Sequence, residues 1–382
     1  MIRDAVLYLA TAEDARTALL PLAGRPLAFR PLAAAIRAGL RVAIPPALRV
    51  PALERAVAAS RRARDGAVWL TPGTAPPASG VLFVPAAATV TPAGLRALVA
   101  GAAPRILSAS LQSPAPVVTL DTVLVSSLWS DVCRDRPIAG LLARALGQTP
   151  PAVEPAPEPY RHVTTLAAIR QAEREVTRDV GPAIDTWFDR SFHRRLARPV
   201  TRLAIAAGIG PNQVSVASAL VGLAGAWCLA RATPGGALLG LGLYAASVVL
   251  DHADGTIARL TLTESRLGEW LDVLNDTLVH AALVLAMGMT AGGVGPMLGV
   301  IAAAGVVGSS ATAKTITPSA APGIGRLLES LGSRDGFYAM LGAFATLSIF
   351  RPALVPALML VVAIGTHAYW LTRLAVRLLA RR

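Results

Sequence analysis

The chain is almost without cysteine, holding only Cys133 and Cys228 in 382 residues. They fall in different halves and Cys228 lies in an apolar run, so their placement argues against a disulfide and for a reducing compartment. Lysine is scarcer still: Lys314 is the only one, and the net charge of +13 is carried by arginine. Aromatic residues make up 5%. No basic stripe alternates with them as a single-strand nucleic-acid binder requires, so nucleic acid is not the expected partner. The first apolar stretch, residues 5–10, is too short for a signal-peptide core and runs into charged residues. The N-terminal half is therefore expected to be cytoplasmic.

What the chain has instead is hydrophobicity: 54% of residues are apolar, the mean hydropathy is +0.54, and the apolar residues gather after Gly208. A soluble half and a membrane half follow. Between positions 1 and 146, short apolar runs at 5–10, 41–44, 67–70, 80–84 and 117–120 suit strands. Residues 31–39, 52–64 and 92–100 have helical periodicity. Such alternation predicts an α/β fold with a mostly parallel sheet. Residues 147–160 are rich in proline and read as a linker. Residues 161–208 read as juxtamembrane helices. There Trp187 and Phe188 precede Arg190, Arg194, Arg195, Arg198 and Arg202, the pattern of an amphipathic helix lying on an anionic leaflet. Pro199 is expected to kink or break it.

Six apolar runs, 214–230, 237–250, 271–289, 294–307, 337–350 and 353–371, predict a six-helix transmembrane domain over 209–382, with short runs extended into their flanks. Arginine and lysine crowd the loops between the second and third and the fourth and fifth runs, and the tail. By the positive-inside rule those loops face the cytoplasm of the inner membrane.

At the junction of the second and third runs stand Asp251, Asp254, Asp272 and Asp276. An unpaired acid at mid-membrane costs about 2.5–3.5 kcal/mol on an insertion scale, so the cluster needs a reason to exist. Asp251, Asp254 and Ala258 are spaced i, i+3, i+7, and Gly268, Asp272 and Asp276 i, i+4, i+8, so each set shares one helix face. Four like charges require neutralising cations. Carboxylate oxygens are hard ligands, so Mg²⁺ or Mn²⁺, as one or two ions, is expected. Pairing with Arg259 and Arg266 alone would leave net negative charge. A proton or cation transporter would place its acids nearer mid-span.

The pattern D-x2-D-G-x2-A-R-x8-G-x3-D-x3-D, from Asp251 to Asp276, resembles the signature of the CDP-alcohol phosphotransferase family at all eight fixed positions. Pro211-Asn212 resembles the element that opens the family's first membrane helix. The resemblance covers about residues 182–379. It implies that Asp251, Asp254 and Asp272 bind metal, that Asp276 is a metal ligand or the general base, and that Gly255, Ala258 and Gly268, with Pro211 and Asn212, shape the nucleotide pocket. It also implies that Arg259 contacts phosphate, that CMP leaves, and that the protein is a homodimer in the bilayer. Lys314, Arg326, Arg334 and His280 are candidates to hold an acceptor phosphate. The opening, through Gly24-Arg25-Pro26-Leu27, resembles sugar nucleotidyltransferases. Their glycine-rich loop is here replaced by Thr11-Ala-Glu-Asp-Ala-Arg16, their lysine by Leu20, and their metal-binding aspartate by the Pro85-Ala-Ala-Ala88 stretch. A non-catalytic α/β domain is expected. The layout is similar to bifunctional inositol-phosphate cytidylyltransferase and di-inositol-phosphate-phosphate synthases, with CDP-diacylglycerol or CDP-inositol as donor and an inositol phosphate or other polyol as acceptor. The competing reading is a non-catalytic scaffold that keeps the motif as a relic.

Overall fold

The structure is a computed structural model; it describes residues 2–155, 159–179, 193–313 and 334–379. Two compact units divide the chain: Met1–Gly181 with Arg202–Gly208 and Thr256–Thr263, and the helical remainder.

The first unit is built on a seven-stranded sheet of β1 (Asp4–Tyr8), β2 (Arg41–Ile44), β3 (Ala67–Trp69), β4 (Val81–Pro85), β5 (Arg105–Leu107), β6 (Val118–Leu120) and β7 (Ala152–Glu154), in the order β7-β5-β6-β4-β1-β2-β3. The pairs of β1 with β2 and β4, of β2 with β3 and of β5 with β7 are parallel, while β6 runs antiparallel to both neighbours. The central strands are apolar on both faces, with Val6, Leu7, Tyr8 and Val81 to Val84 wholly buried, as helix-covered parallel strands require. The expected helix over 52–64 is two helices, Pro51–Ala58 and Arg61–Gly66. Ser60 adopts extended backbone between them and caps the second by accepting from the Ala63 N–H at 3.2 Å.

The proline-rich stretch is not an open linker throughout. Ala152–Glu154 within it forms β7, parallel to β5, and the Glu154 carboxylate pairs with Arg105. Proline-rich chain is already extended, and β7 occupies the sheet edge, where proline is tolerated beside a strand.

At the end of β1, where the sequence lacks a glycine-rich loop, the chain supplies its own anion. The buried Asp14 carboxylate accepts from the backbone N–H groups of Ala10 at 2.8 Å and Thr11 at 3.4 Å, and from the Thr11 hydroxyl at 2.9 Å. His162 Nε2 lies 3.2 Å away. Burial works to raise the Asp14 pKa, but the hydrogen bonds and charge of His162, with the Thr11 and Ala10 donors, outweigh it and hold the group below the ordinary aspartate range. A depressed folded-state pKa stabilises fully above the unfolded value and is lost as pH falls through the folded one. Asp14→Ala, which leaves those donors bare, should destabilise this unit by about 3 kcal/mol, read as faster amide exchange at Ala10 and Thr11 at neutral pH.

The helical unit contains α1 (Pro211–Ala230), α2 (Pro234–Thr261), whose last turns belong to the first unit, α3 (Arg266–Thr290), α4 (Gly295–Ala313), α5 (Arg334–Phe350) and α6 (Val355–Leu379). Five of these, all but α5, are long and apolar enough to cross a membrane. The fifth expected run, 337–350, gives the shorter apolar segment Gly336–Phe350. The protein is a multi-pass membrane protein. Of the expected amphipathic segment, Trp187, Phe188 and Arg190 lie outside the described residues. The helix Arg194–Ala206 runs through Pro199 without breaking, although the missing N–H removes a ladder bond.

Small and hydroxyl residues set the helix spacing, as expected where lipid offers no hydrophobic drive. Ser218 and Ser247 each donate to the other's backbone carbonyl, at 2.8 and 2.9 Å, and tie α1 to α2. At the crossing of α3 and α4, a Cβ on Gly288 would stand 2.5 Å from the Gly299 Cα. Backbone cannot yield there, so Gly288→Val should cost about 1–3 kcal/mol, measured as a lowered thermal midpoint in detergent.

Candidate active site

Helices α2 and α3 are consecutive. Leu262 ends the first with φ +57°, and Ser265 caps the second by accepting from the Gly268 N–H at 3.0 Å. With a rise of about 1.5 Å per residue, Asp251 and Asp254 lie roughly 10–15 Å before the turn and Asp272 and Asp276 a similar distance after it. Each acidic pair is thus about as far along its own helix from the turn as the other.

Ser215 organises this region. Its hydroxyl donates to the Asp254 carboxylate, and its backbone carbonyl accepts from Asn275 Nδ2 at 3.0 Å. One residue of α1 thus engages both motif helices. Asp254 and Ser215 are buried, Asp251 and Asp276 half-buried and Asp272 exposed, so the group grades from protein interior to surface. Ser215 and Asn275 escaped the sequence reading. Ser215 stands one turn after Pro211 on the same helix face, but only the crossing of α1 with α2 reveals its partner.

Pro211 and Asn212 form the first turn of α1, where the Gln213 side chain accepts from the Gly210 N–H at 2.9 Å. A Cβ on Gly268 would meet Ser265 Oγ at 3.4 Å and Asn212 Oδ1 at 3.6 Å, ordinary contact distances, so Gly268 lies beside the first turn of α1. Gly255, Ala258 and Arg259 are half-buried along α2. His280 lies deeper along α3, held by the Tyr244 hydroxyl at 2.9 Å with its ring 4.2 Å from that of Phe337. Near it, His193 meets the Tyr338 hydroxyl at 2.9 Å and stacks on His252. Lys314 and Arg326 lie outside the described residues. Arg334 opens α5, and its side chain lies outside them too.

Among the described residues no three His, Cys, Asp or Glu side chains form a ready metal cage. Carboxylates with no cation between them repel, so these side chains need not converge. By chemistry the set suits a hard divalent cation: oxygen donors only, from two helices, with the buried member oriented by a hydroxyl.

Residues 209–328 match the family model described as CDP-alcohol phosphatidyltransferase, so the C-terminal part of the chain carries a domain of that family. Among curated proteins, the chain is 31% identical over 126 residues to the bifunctional IPC transferase and DIPP synthase of Thermococcus kodakarensis, covering 33% of this chain and 28% of that one. It is 33% identical over 123 residues to the protein of the same name from Archaeoglobus fulgidus, covering 32% and 24%. The matches thus span about a quarter of the relatives' own length. Solved structures of Mycobacterium tuberculosis phosphatidylinositol phosphate synthase, one with CDP-DAG bound and one with manganese and citrate, align with TM-scores of 0.39 and 0.38. Their identities are 17% and 16%, over 47% of this chain in each case and 92% and 87% of theirs.

Proposed function

We propose that the protein is a membrane transferase that moves a substituted phosphate, most simply a phosphatidyl group, from a CDP-linked alcohol to an alcohol hydroxyl and releases CMP. The observation that best supports this reading is Ser215, whose hydroxyl donates to Asp254 on α2 while its backbone carbonyl accepts from Asn275, next to Asp276 on α3. Asp251, Asp254 and Asp272 would hold a divalent cation, Mg²⁺ or Mn²⁺, with Asp276 beside them; when bound, the cation would neutralise charge on the pyrophosphate.

The acceptor oxygen forms a bond to the phosphorus that bears the donor alcohol, and the phosphoanhydride bond to CMP breaks. Asp276, half-buried one turn beyond Asp272, takes the hydroxyl proton. Arg259 holds phosphate, while Gly255, Ala258 and Gly268, with Pro211 and Asn212, leave room for the nucleotide. CDP-diacylglycerol is the favoured donor, because the α/β unit fills its own loop with Asp14 and the donor would be made elsewhere. An inositol phosphate or another polyol is the favoured acceptor, with Lys314, Arg326 and Arg334 as candidates to bind its phosphate. The acidic group faces the cytoplasm by the placement of arginine, and residues 1–146 serve as a non-catalytic domain.

The test is CMP release from CDP-diacylglycerol in nanodiscs over a panel of alcohols, with products identified by mass spectrometry. Release that requires an alcohol and yields the matching phosphodiester supports the reading, and no release with any donor favours a scaffold. Chelation should abolish turnover, and added Mg²⁺ or Mn²⁺ should restore it.

A further inference from the structure

Thr256–Thr263, the end of α2 with Ala258 and Arg259 of the motif, folds into the same compact unit as the α/β layer. The last carbonyls of a helix have no partners within it. Here each from Ile257 to Leu260 is matched. Ile257 O accepts from the Thr261 hydroxyl at 2.7 Å and Ala258 O from the Thr263 N–H at 2.9 Å. The next two accept from arginines far away in sequence: Arg259 O from Arg37 at 2.5 Å and Leu260 O from Arg30 at 2.7 Å. Beyond the helix, Leu262 O accepts from the Ser60 hydroxyl at 2.5 Å.

Two features are costly unless this end must be held. Leu262 occupies left-handed backbone, φ +57°, where a glycine is usual and a leucine costs about 1–2 kcal/mol. Its side chain is 1% exposed, so burial in the α/β unit offsets that strain. Arg30 is itself 8% exposed and spends its donors on backbone carbonyls, those of Leu260, Leu22 at 2.8 Å and Ala23 at 3.3 Å. Burial, with repulsion from Arg25 and Arg37, pushes its guanidinium down to about 9. A cation at a helix C-terminus is favoured by the helix dipole.

We infer that Arg30, supported by Arg37 and Ser60, is a positioning residue: it clamps the C-terminal end of α2 so that Ala258 and Arg259 hold fixed places against a CDP-linked donor. The inference rests on the transfer reading given above. It gives an α/β unit without a phosphate loop a task in the reaction that needs no nucleotide of its own.

The test uses the full chain in nanodiscs with Arg30→Met, Arg30→Lys and Arg37→Met. The readouts are backbone amide exchange over 256–263 and the kinetics of CMP release from CDP-diacylglycerol. Arg30→Met should speed exchange over that segment while α1 keeps its protection, and should raise the donor KM by on the order of tenfold, as small misplacements of a binding group do. Arg30→Lys should recover part of both, and Arg37→Met should show both more weakly. Wild-type exchange in the variants, or faster exchange with donor KM and kcat unchanged, overturns the inference. Should Arg30→Met fail to fold, Arg37→Met decides by the same two readouts. An inactive wild-type protein instead sinks the transfer reading, and the positioning role with it.

Discussion

Asp276→Asn is expected to cut kcat for CMP release by about 10²–10⁴-fold, the range that general-base catalysis supplies, while the donor still binds. Asparagine matches aspartate in size and can offer one oxygen, but it cannot take a proton from the acceptor. A base should therefore register in kcat and leave donor KM within about threefold, because binding energy common to ground and transition states is untouched. Nucleotide affinity measured directly by titration with CDP-diacylglycerol in nanodiscs separates this from loss of the site. Turnover at the wild-type rate would remove Asp276 from the base role.

Asp254→Ala is expected to be as severe by a different route. Its carboxylate is the most buried of the four and takes the Ser215 hydroxyl, so alanine deletes the best-oriented oxygen and leaves that hydroxyl only the Pro211 carbonyl at 3.1 Å. Activity should fall below detection, and Mn²⁺ binding followed by electron paramagnetic resonance should weaken even without substrate. Ser215→Ala keeps all four acids and removes only the group that orients one. Losing such a support typically costs 10–100-fold in metal affinity or activity, so added metal should rescue Ser215→Ala in part and Asp254→Ala not at all. Equal behaviour of the two variants would mean that Ser215 matters for packing alone.

The motif was legible because every constraint on it is local. Residues three, four and seven apart share a helix face whatever the rest of the chain does, and the two motif segments fall on consecutive helices, α2 and α3. The buried strands β1 and β4 were legible for a similar reason, as continuous apolar runs. Strands β5 and β7 were not. Each is three residues long and neither is purely apolar, so only pairing across the sheet, of β7 with β5 and of β5 with β6, defines them. The break at Ser60 was hidden too, since the helical pattern continues across it and the partner of its hydroxyl is a carbonyl 202 positions away. The Ser215–Asp254 bond and the Arg30 clamp belong to the same class. Each joins distant stretches of chain, and polar side chains of that kind carry no periodicity that announces them. The Asp14 loop was half legible: the sequence showed that glycine was missing and acid present, but not that the acid turns inward onto its own backbone.

Strand β7 bears on how the α/β unit could be studied alone. A polypeptide ended at residue 146, where the apolar pattern stops, would lose β7 and leave β5 as a bare edge with unpaired N–H and C=O groups. Such edges recruit other chains, so that fragment is expected to precipitate or form ladders of strand-paired oligomers. Its poor behaviour would then reflect an amputated sheet and say nothing about nucleotide affinity. Ending beyond His162 would restore both the border of the sheet and the partner of Asp14.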